Sequence, residues 1–464
     1  MTIESVRQAL DRLPRAAGWV LGFSGGLDST VLLHILLARH DRPALTTLHV
    51  NHGLQSGSGR WLKHCARVCA QHDVRFKPVK IRSLAASKGN TEALAREARY
   101  AAFREFLGRG AILFTAHHAD DQSETLLLNL IRGSGPAGLA AMPELTPFHH
   151  GRHARPMLRT KREDILAYAR KHGLDWIEDP SNQDSGYDRN FLRHVILPPL
   201  RQRRPGLDGA LSRVAEHQAT CARLLSQLAA QDLNALCSSP EKSHSGPDEP
   251  LSQAGVCRLD RERQANLIRY WLTEQGFQVP PSSRMRTLLD QVRPEPDDRV
   301  TEVQWQGCVV NGWRGGLYAG KPLPKPDTDF LQGIRPDRST PLSNGNGILT
   351  WVPDAQGLDR NRMKDAELSV RSRKGGERLR IHARGPSREL KKLYQDAHIP
   401  PWERDRRPLL FADECLIAVP GLFMAVDWLS RDGSGLRPEW KSPCASQDLR
   451  HNPRSRSFLE EDAS

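Results

Sequence analysis

The sequence predicts an α/β protein: a parallel sheet with helices on both faces, followed by a mainly helical region. Two observations carry this. Through about the first 180 residues, short apolar runs with strand character alternate with longer segments of helical spacing. From about Leu207 the alternation stops and helical periodicity continues almost alone.

The strands of the first region are expected at Trp19–Phe23, Ala44–Val50, Val74–Val79 and Ala111–Thr115. Helices are expected at Ser29–Arg39, Gly59–His72, Thr91–Leu107, Ala119–Arg132 and Lys161–His172. The helical region follows with Leu211–Leu236 and Arg261–Gln275, separated by the polar loop Ser238–Pro250. A short strand-like patch, Val303–Val310 with Gly315–Tyr318, closes it. Residues 320–347 are studded with Pro, Gly and Asp and read as a linker. The domains expected are therefore 1–206, 207–319 and 348–429, with a polar tail at 430–464.

Composition narrows the class of protein. No apolar run approaches the ~18 residues that span a membrane, and the acidic, amphipathic start Met1–Leu13 is unlike a secretory signal. Eight cysteines are few for 464 residues, and Cys65 and Cys69 are spaced i, i+4 rather than C-x-x-C. They read as inert thiols in a reducing cytoplasm, with no metal site or prosthetic group implied. The net charge of +13 points to a polyanionic partner.

The most informative string is Ser24-Gly25-Gly26-Leu27-Asp28-Ser29, between an apolar strand and an apolar helix. A helix N-terminus with bare N–H groups is an anion site, and the glycines let backbone approach a phosphate closely. Ser24 and Ser29 add hydroxyls, and Asp28 adds an oxygen suited to Mg²⁺. The string is neither a Walker loop, which needs a lysine after its glycines, nor a G-x-G-x-x-G fingerprint. Ligands in parallel sheets bind at the carboxyl ends of strands, where this loop, Asn51-His52-Gly53 and His117-His118 all fall.

A second constellation begins at His117. In a helix starting near His118, His117, Asp121 and Glu124 project to one side and could hold a metal or a cationic amine. Downstream, Arg189 and Arg193 are i, i+4 and flank Asn190, a set suited to phosphates and base edges. Residues 371–407 hold twelve Arg and Lys against five acids, a net +7 that makes this stretch the expected grip on RNA phosphates. Within it, Leu390, Leu393 and Tyr394 read as core, and Trp402 as packing.

The string Ser24–Ser29 resembles the pyrophosphate loop of the N-type ATP pyrophosphatases, which cut ATP between its α and β phosphates. Together with Asn51–Leu54, Arg96–Tyr100, His117–Thr125, Arg132–Gly135, Glu178–Arg193 and Lys374–Phe423, it resembles the tRNA(Ile)-lysidine synthase family. The resemblance implies an N-type ATP-binding domain, a helical tRNA-substrate-binding domain and a small basic α+β C-terminal domain that binds tRNA. It implies that free lysine is joined to C2 of the wobble cytidine in the CAU anticodon of a minor isoleucine tRNA, with ATP and Mg²⁺ as co-substrate. It assigns ATP to Ser24, Gly25, Gly26, Leu27, Asp28 and Ser29, with Asp28 associated with Mg²⁺. It assigns lysine to His117, Asp121 and Glu124, and tRNA to Arg189, Asn190, Arg193, Lys391, Lys392 and Arg404. The enzyme could be a monomer or a homodimer, and the general base is left open. A related tRNA thiolase would call for C-x-x-C pairs, which are missing; an inactive RNA-binding relative would be expected to lose Asp28 or Glu124, and both are present.

Overall fold

The computed structural model describes residues 2–51, 58–80, 91–178, 186, 188–237, 250–295, 299–323, 327, 329–336, 338–343 and 346–441. The expected turn at His52-Gly53, most of the 238–250 loop and the tail beyond 441 lie outside them. The chain divides into two compact units, residues 1–225 and 226–464. No described helix is long and apolar enough to cross a membrane.

The first unit runs α1 (Thr2–Asp11), β1 (Trp19–Gly22), α2 (Leu27–Leu37), β2 (Leu45–Asn51), α3 (Ser58–Gln71), β3 (Arg75–Lys80) and α4 (Thr91–Phe106). It continues with β4 (Ile112–Phe114), α5 (Ala119–Ile131), α6 (Pro136–Leu139), β5 (Leu145–Phe148), β6 (Gly151–Ala154) and α7 (Arg162–Lys171). The sheet order is β3-β2-β1-β4-β6-β5, parallel throughout except for the β5–β6 hairpin. Strand periodicity divides the core: Trp19, Leu21 and Phe23 pack with α2, α3 and α7, whereas Val20 and Leu113 meet Phe103 and Leu107 around α4. Helices therefore cover both faces. The order reverses between β1 and β4, so their carboxyl ends open a crevice at the switch point.

After α7 come a short helix α8 (Asp188–Phe191), a π-helical turn at Leu192–Ile196, α9 (Leu197–Arg203) and the long α10 (Leu207–Cys237), inside which the unit boundary falls. In the second unit, helices at Arg261–Glu274 and Ser282–Gln291 pack on a four-stranded antiparallel sheet. The expected strand Val303–Val310 is instead a hairpin, Thr301–Trp305 with Cys308–Trp313, because Gly307 takes φ +76° and turns the chain.

Two further expectations are corrected. The stretch read as a linker carries strands at Leu331–Gly333 and Thr340–Pro341. The stretch read as a tail holds a strand, Leu436–Lys441, paired with Ile348–Leu358. Its alternation buries Leu436 and Trp440 in a core with Leu349 and Leu358, a period-2 signal masked by the polar residues around it. Leu390, Leu393 and Tyr394 are buried in the C-terminal core, and Trp402 packs edge-on against Trp313 and Tyr318.

Candidate active site

The loop between β1 and α2 is held in one shape. Gly25 adopts φ +80°, and its carbonyl accepts the Ile177 N–H at 2.9 Å. The Ser24 and Ser29 hydroxyls lie 3.0 Å apart, and Ser29 donates to the Gly26 carbonyl at 3.1 Å. No side chain caps the start of α2, so its first N–H groups stay available to an anion. Leu27 is buried, which anchors the helix start.

Asp28 faces the start of α5. Its Oδ2 lies 3.8 Å from His118 Nε2, and its Oδ1 is buried without a hydrogen-bond partner. Burial raises the Asp28 pKa, opposed by His118. A buried carboxylate oxygen with no donor is the environment a hard cation satisfies, so Asp28 fits the expected Mg²⁺ role. Among the described residues no cluster of three or more His, Cys, Asp or Glu is poised to hold a metal alone.

His118, rather than His117, stands between the loop and the acids. Its Nε2 is also 3.5 Å from Asp121 Oδ2, which accepts the His118 backbone N–H at 3.0 Å. The sequence signal was its position just before the helix, where an N-cap side chain folds over the first turn, here beside Asp121 at N3. Burial acts to raise the Asp121 pKa, but His118, His117 and Arg189 more than reverse it, to about 2.

Glu124 is fully buried and engaged by two guanidiniums. Arg193 donates to Oε1 at 2.6 Å and to Oε2 at 3.0 Å, and Arg189 Nε lies 3.1 Å from Oε2. Arg193 also donates to Asp121 at 3.0 Å. Burial raises the Glu124 pKa against the pull of Arg193. Arg189 and Arg193, expected to hold tRNA, are thus in direct contact with Asp121 and Glu124, expected to hold lysine, with Asn190 between the arginines in sequence on α8. His117 turns its Nδ1 to Thr115 Oγ1 at 2.8 Å, and burial lowers its pKa to about 3 against the pull of Asp121.

In the second unit the basic stretch is partly neutralised by acids outside it. Arg371 pairs with Glu414 at 2.8 Å and Arg380 with Asp427. Lys391 and Lys392 are exposed on the helix Leu390–Asp396, whereas half-buried Arg404 donates to the Ile399 carbonyl at 2.8 Å.

A lysine-free phosphate loop at the switch point of a parallel sheet, facing paired acids, defines a PP-loop ATP-using protein; the PP-loop domain model matches residues 2–200. The models for the TilS substrate binding domain and the TilS substrate C-terminal domain match residues 251–318 and 368–440. The chain is similar to the tRNA(Ile)-lysidine synthase of Alkalilimnicola ehrlichii, 38% identical over 448 residues, which covers 95% of this chain and 97% of that protein. It is equally similar to the tRNA(Ile)-lysidine synthase of Methylococcus capsulatus, 38% identical over 421 residues, covering 89% and 93%. The chain belongs to the tRNA(Ile)-lysidine synthase family. Among solved structures it is similar to the U34-tRNA thiolase NcsA from Methanococcus maripaludis with its 4Fe–4S cluster, at 20% identity, TM-score 0.39, over 47% of this chain and 77% of that one.

Proposed function

We propose that this chain joins free lysine, through its ε-amine, to C2 of the wobble cytidine in a CAU-anticodon isoleucine tRNA, converting ATP to AMP and pyrophosphate. One observation carries this reading: Asp28 on the phosphate loop and Asp121 on the acid cluster lie 3.8 and 3.5 Å from the same imidazole nitrogen of His118. A base activated by ATP and an amine held by carboxylates would meet in one crevice.

The chemistry needs both halves. The cytosine C2 oxygen attacks the α-phosphorus, an O–P bond forms, and the bond to pyrophosphate breaks. The lysine nitrogen then bonds to C2, the C2–O bond breaks, and AMP leaves with the former carbonyl oxygen as the nitrogen sheds a proton. The bare N–H groups of α2 and the Ser24 and Ser29 hydroxyls would receive the pyrophosphate. Asp28 would hold Mg²⁺, which neutralises phosphate charge when bound. Asp121 and Glu124 would take the lysine ammonium, displacing guanidinium groups that now neutralise them. Arg189, Asn190 and Arg193 would then turn to the anticodon, with Lys391, Lys392 and Arg404 gripping the tRNA elsewhere.

Asp28→Ala tests the reading. It should abolish ATP-dependent lysine incorporation while leaving tRNA binding in place. Retained incorporation would remove the loop from the reaction.

A further inference from the structure

A buried chain of polar groups stands behind His117. Thr115, His153 and Arg155 are 8%, 1% and 8% exposed. Thr115 follows β4, and His153 lies on the parallel neighbour β6, in register with Leu113. Arg155 Nη2 donates to His153 Nδ1 at 2.9 Å, and a second Arg155 nitrogen donates to the Pro143 carbonyl at 2.9 Å. His153 Nε2 lies 2.8 Å from Thr115 Oγ1, which lies 2.8 Å from His117 Nδ1.

The arginine fixes the protons of the first two links. A guanidinium has donors and no acceptor. His153 Nδ1 must therefore accept, which makes the ring neutral with its proton on Nε2. That N–H donates to Thr115 Oγ1. Thr115 Oγ1 has one proton and two lone pairs, so while it accepts from His153 its proton can be donated to His117 Nδ1. Donation then runs from Arg155 through His153 to Thr115, and a Thr115 that donates onward carries it to His117. Burial, which lowers the His153 pKa to about 2, agrees with a neutral ring there.

We propose that Arg155, His153 and Thr115 are positioning residues that hold His117 as a neutral imidazole with its proton on Nε2. His117 then gives a hydrogen bond to an oxygen of a substrate and does not take the proton shed by lysine. An N–H donor repels an ammonium, which leaves the amine to Asp121 and Glu124. The acceptor is an oxygen, either the carboxylate of lysine or the C2 carbonyl of cytosine. The proposal rests on the lysidine-forming reading, but its first test does not.

That test is long-range proton–nitrogen NMR of the full chain labelled with ¹⁵N-histidine, near neutral pH and without substrates, with the His117 signals assigned by their loss in His117→Asn. His117 should show an unprotonated Nδ1 and a protonated Nε2. Thr115→Val and His153→Leu should abolish this fixed tautomer. Thr115→Ser and His153→Gln should keep it, because glutamine can accept from Arg155 and donate to Thr115. The wrong tautomer in a serine protease triad costs about 10⁴ in kcat, so a loss of about 10-fold or more in lysidine formation is expected for Thr115→Val and His153→Leu. Thr115→Ser and His153→Gln should recover most of it.

A raised KM for lysine with unchanged adenylation of the tRNA identifies the lysine carboxylate as acceptor. Slower adenylation identifies the cytosine carbonyl. A wild-type His117 protonated on Nδ1 or on both nitrogens, or a tautomer unchanged in Thr115→Val, overturns the proposal. So does a changed tautomer with unchanged kinetics. An enzyme that makes no lysidine at all, with the tautomer as stated, refutes the functional reading alone.

Discussion

The phosphate loop rests on a position where no side chain fits. At Gly25 a Cβ would lie 2.7 Å from Cys65 Sγ and 3.3 Å from His64 Cδ2, at φ +80°. Gly25→Ala therefore carries two costs. Placing a residue with a Cβ in the left-handed region costs about 1–2 kcal/mol. Forcing a methyl into packed surroundings costs about 1–3 kcal/mol more. Cys65 is fully buried on α3 and cannot swing away, so the two should add to about 2–5 kcal/mol. Cys65→Ala removes the sulfur but not the backbone strain. In the double mutant it should recover about 1–2 kcal/mol, a favourable coupling between neighbours. Urea unfolding of the four proteins of the cycle measures this, and ATP-dependent lysine incorporation should fall in Gly25→Ala. A Gly25→Ala protein within about 0.5 kcal/mol of wild type, the range of an ordinary surface change, would refute the packing argument.

Three further outcomes are expected. Lys391→Ala with Lys392→Ala should weaken tRNA binding and reduce the slope of log K against log salt by about 1–2, roughly one per phosphate contact; an unchanged slope would mean that these lysines touch no phosphate. Stability should fall on acidification, because His153 has a folded pKa of about 2, below the unfolded value of about 6.5. The unfolded chain then binds the extra proton between those values, so this contribution is full above about pH 6.5 and is lost as pH falls toward the folded value. His153→Gln should flatten that slope, and an identical profile would show that His153 titrates normally. Glu124→Gln should raise the KM for lysine with little change in the KM for ATP, and steady-state kinetics would expose an equal effect on both.

Much of the first unit was legible because its signals are local. The strand Trp19–Gly22, the turn at Gly25 and the helix that begins at Leu27 follow from apolar runs around two glycines. The acids at Asp121 and Glu124 were legible from i, i+3 spacing at a helix start. Their pairing with Arg193 was not, because the partners are 72 and 69 residues apart. The sequence pointed to both segments as substrate sites without showing that they meet. The place of His118 between Asp28 and Asp121 was not legible, because helical spacing groups His117, Asp121 and Glu124 and leaves His118 out. His153 and Arg155 lie on a strand added beside β4, and no local pattern links them to the site. In the second unit, Leu436–Lys441 shows the same limit: its partner strand is about 90 residues upstream, and its own residues alternate with charges.

The central claim is that the loop at Ser24–Ser29 spends ATP on one cytosine for lysine to attack. The most direct measurement incubates the protein with ATP, Mg²⁺, radiolabelled lysine and isoleucine tRNA bearing a CAU anticodon, then locates the label by nuclease digestion. The account predicts ATP-dependent label on the wobble cytidine, with AMP released in equal amount. No label in that tRNA, or label that appears without ATP, would contradict it.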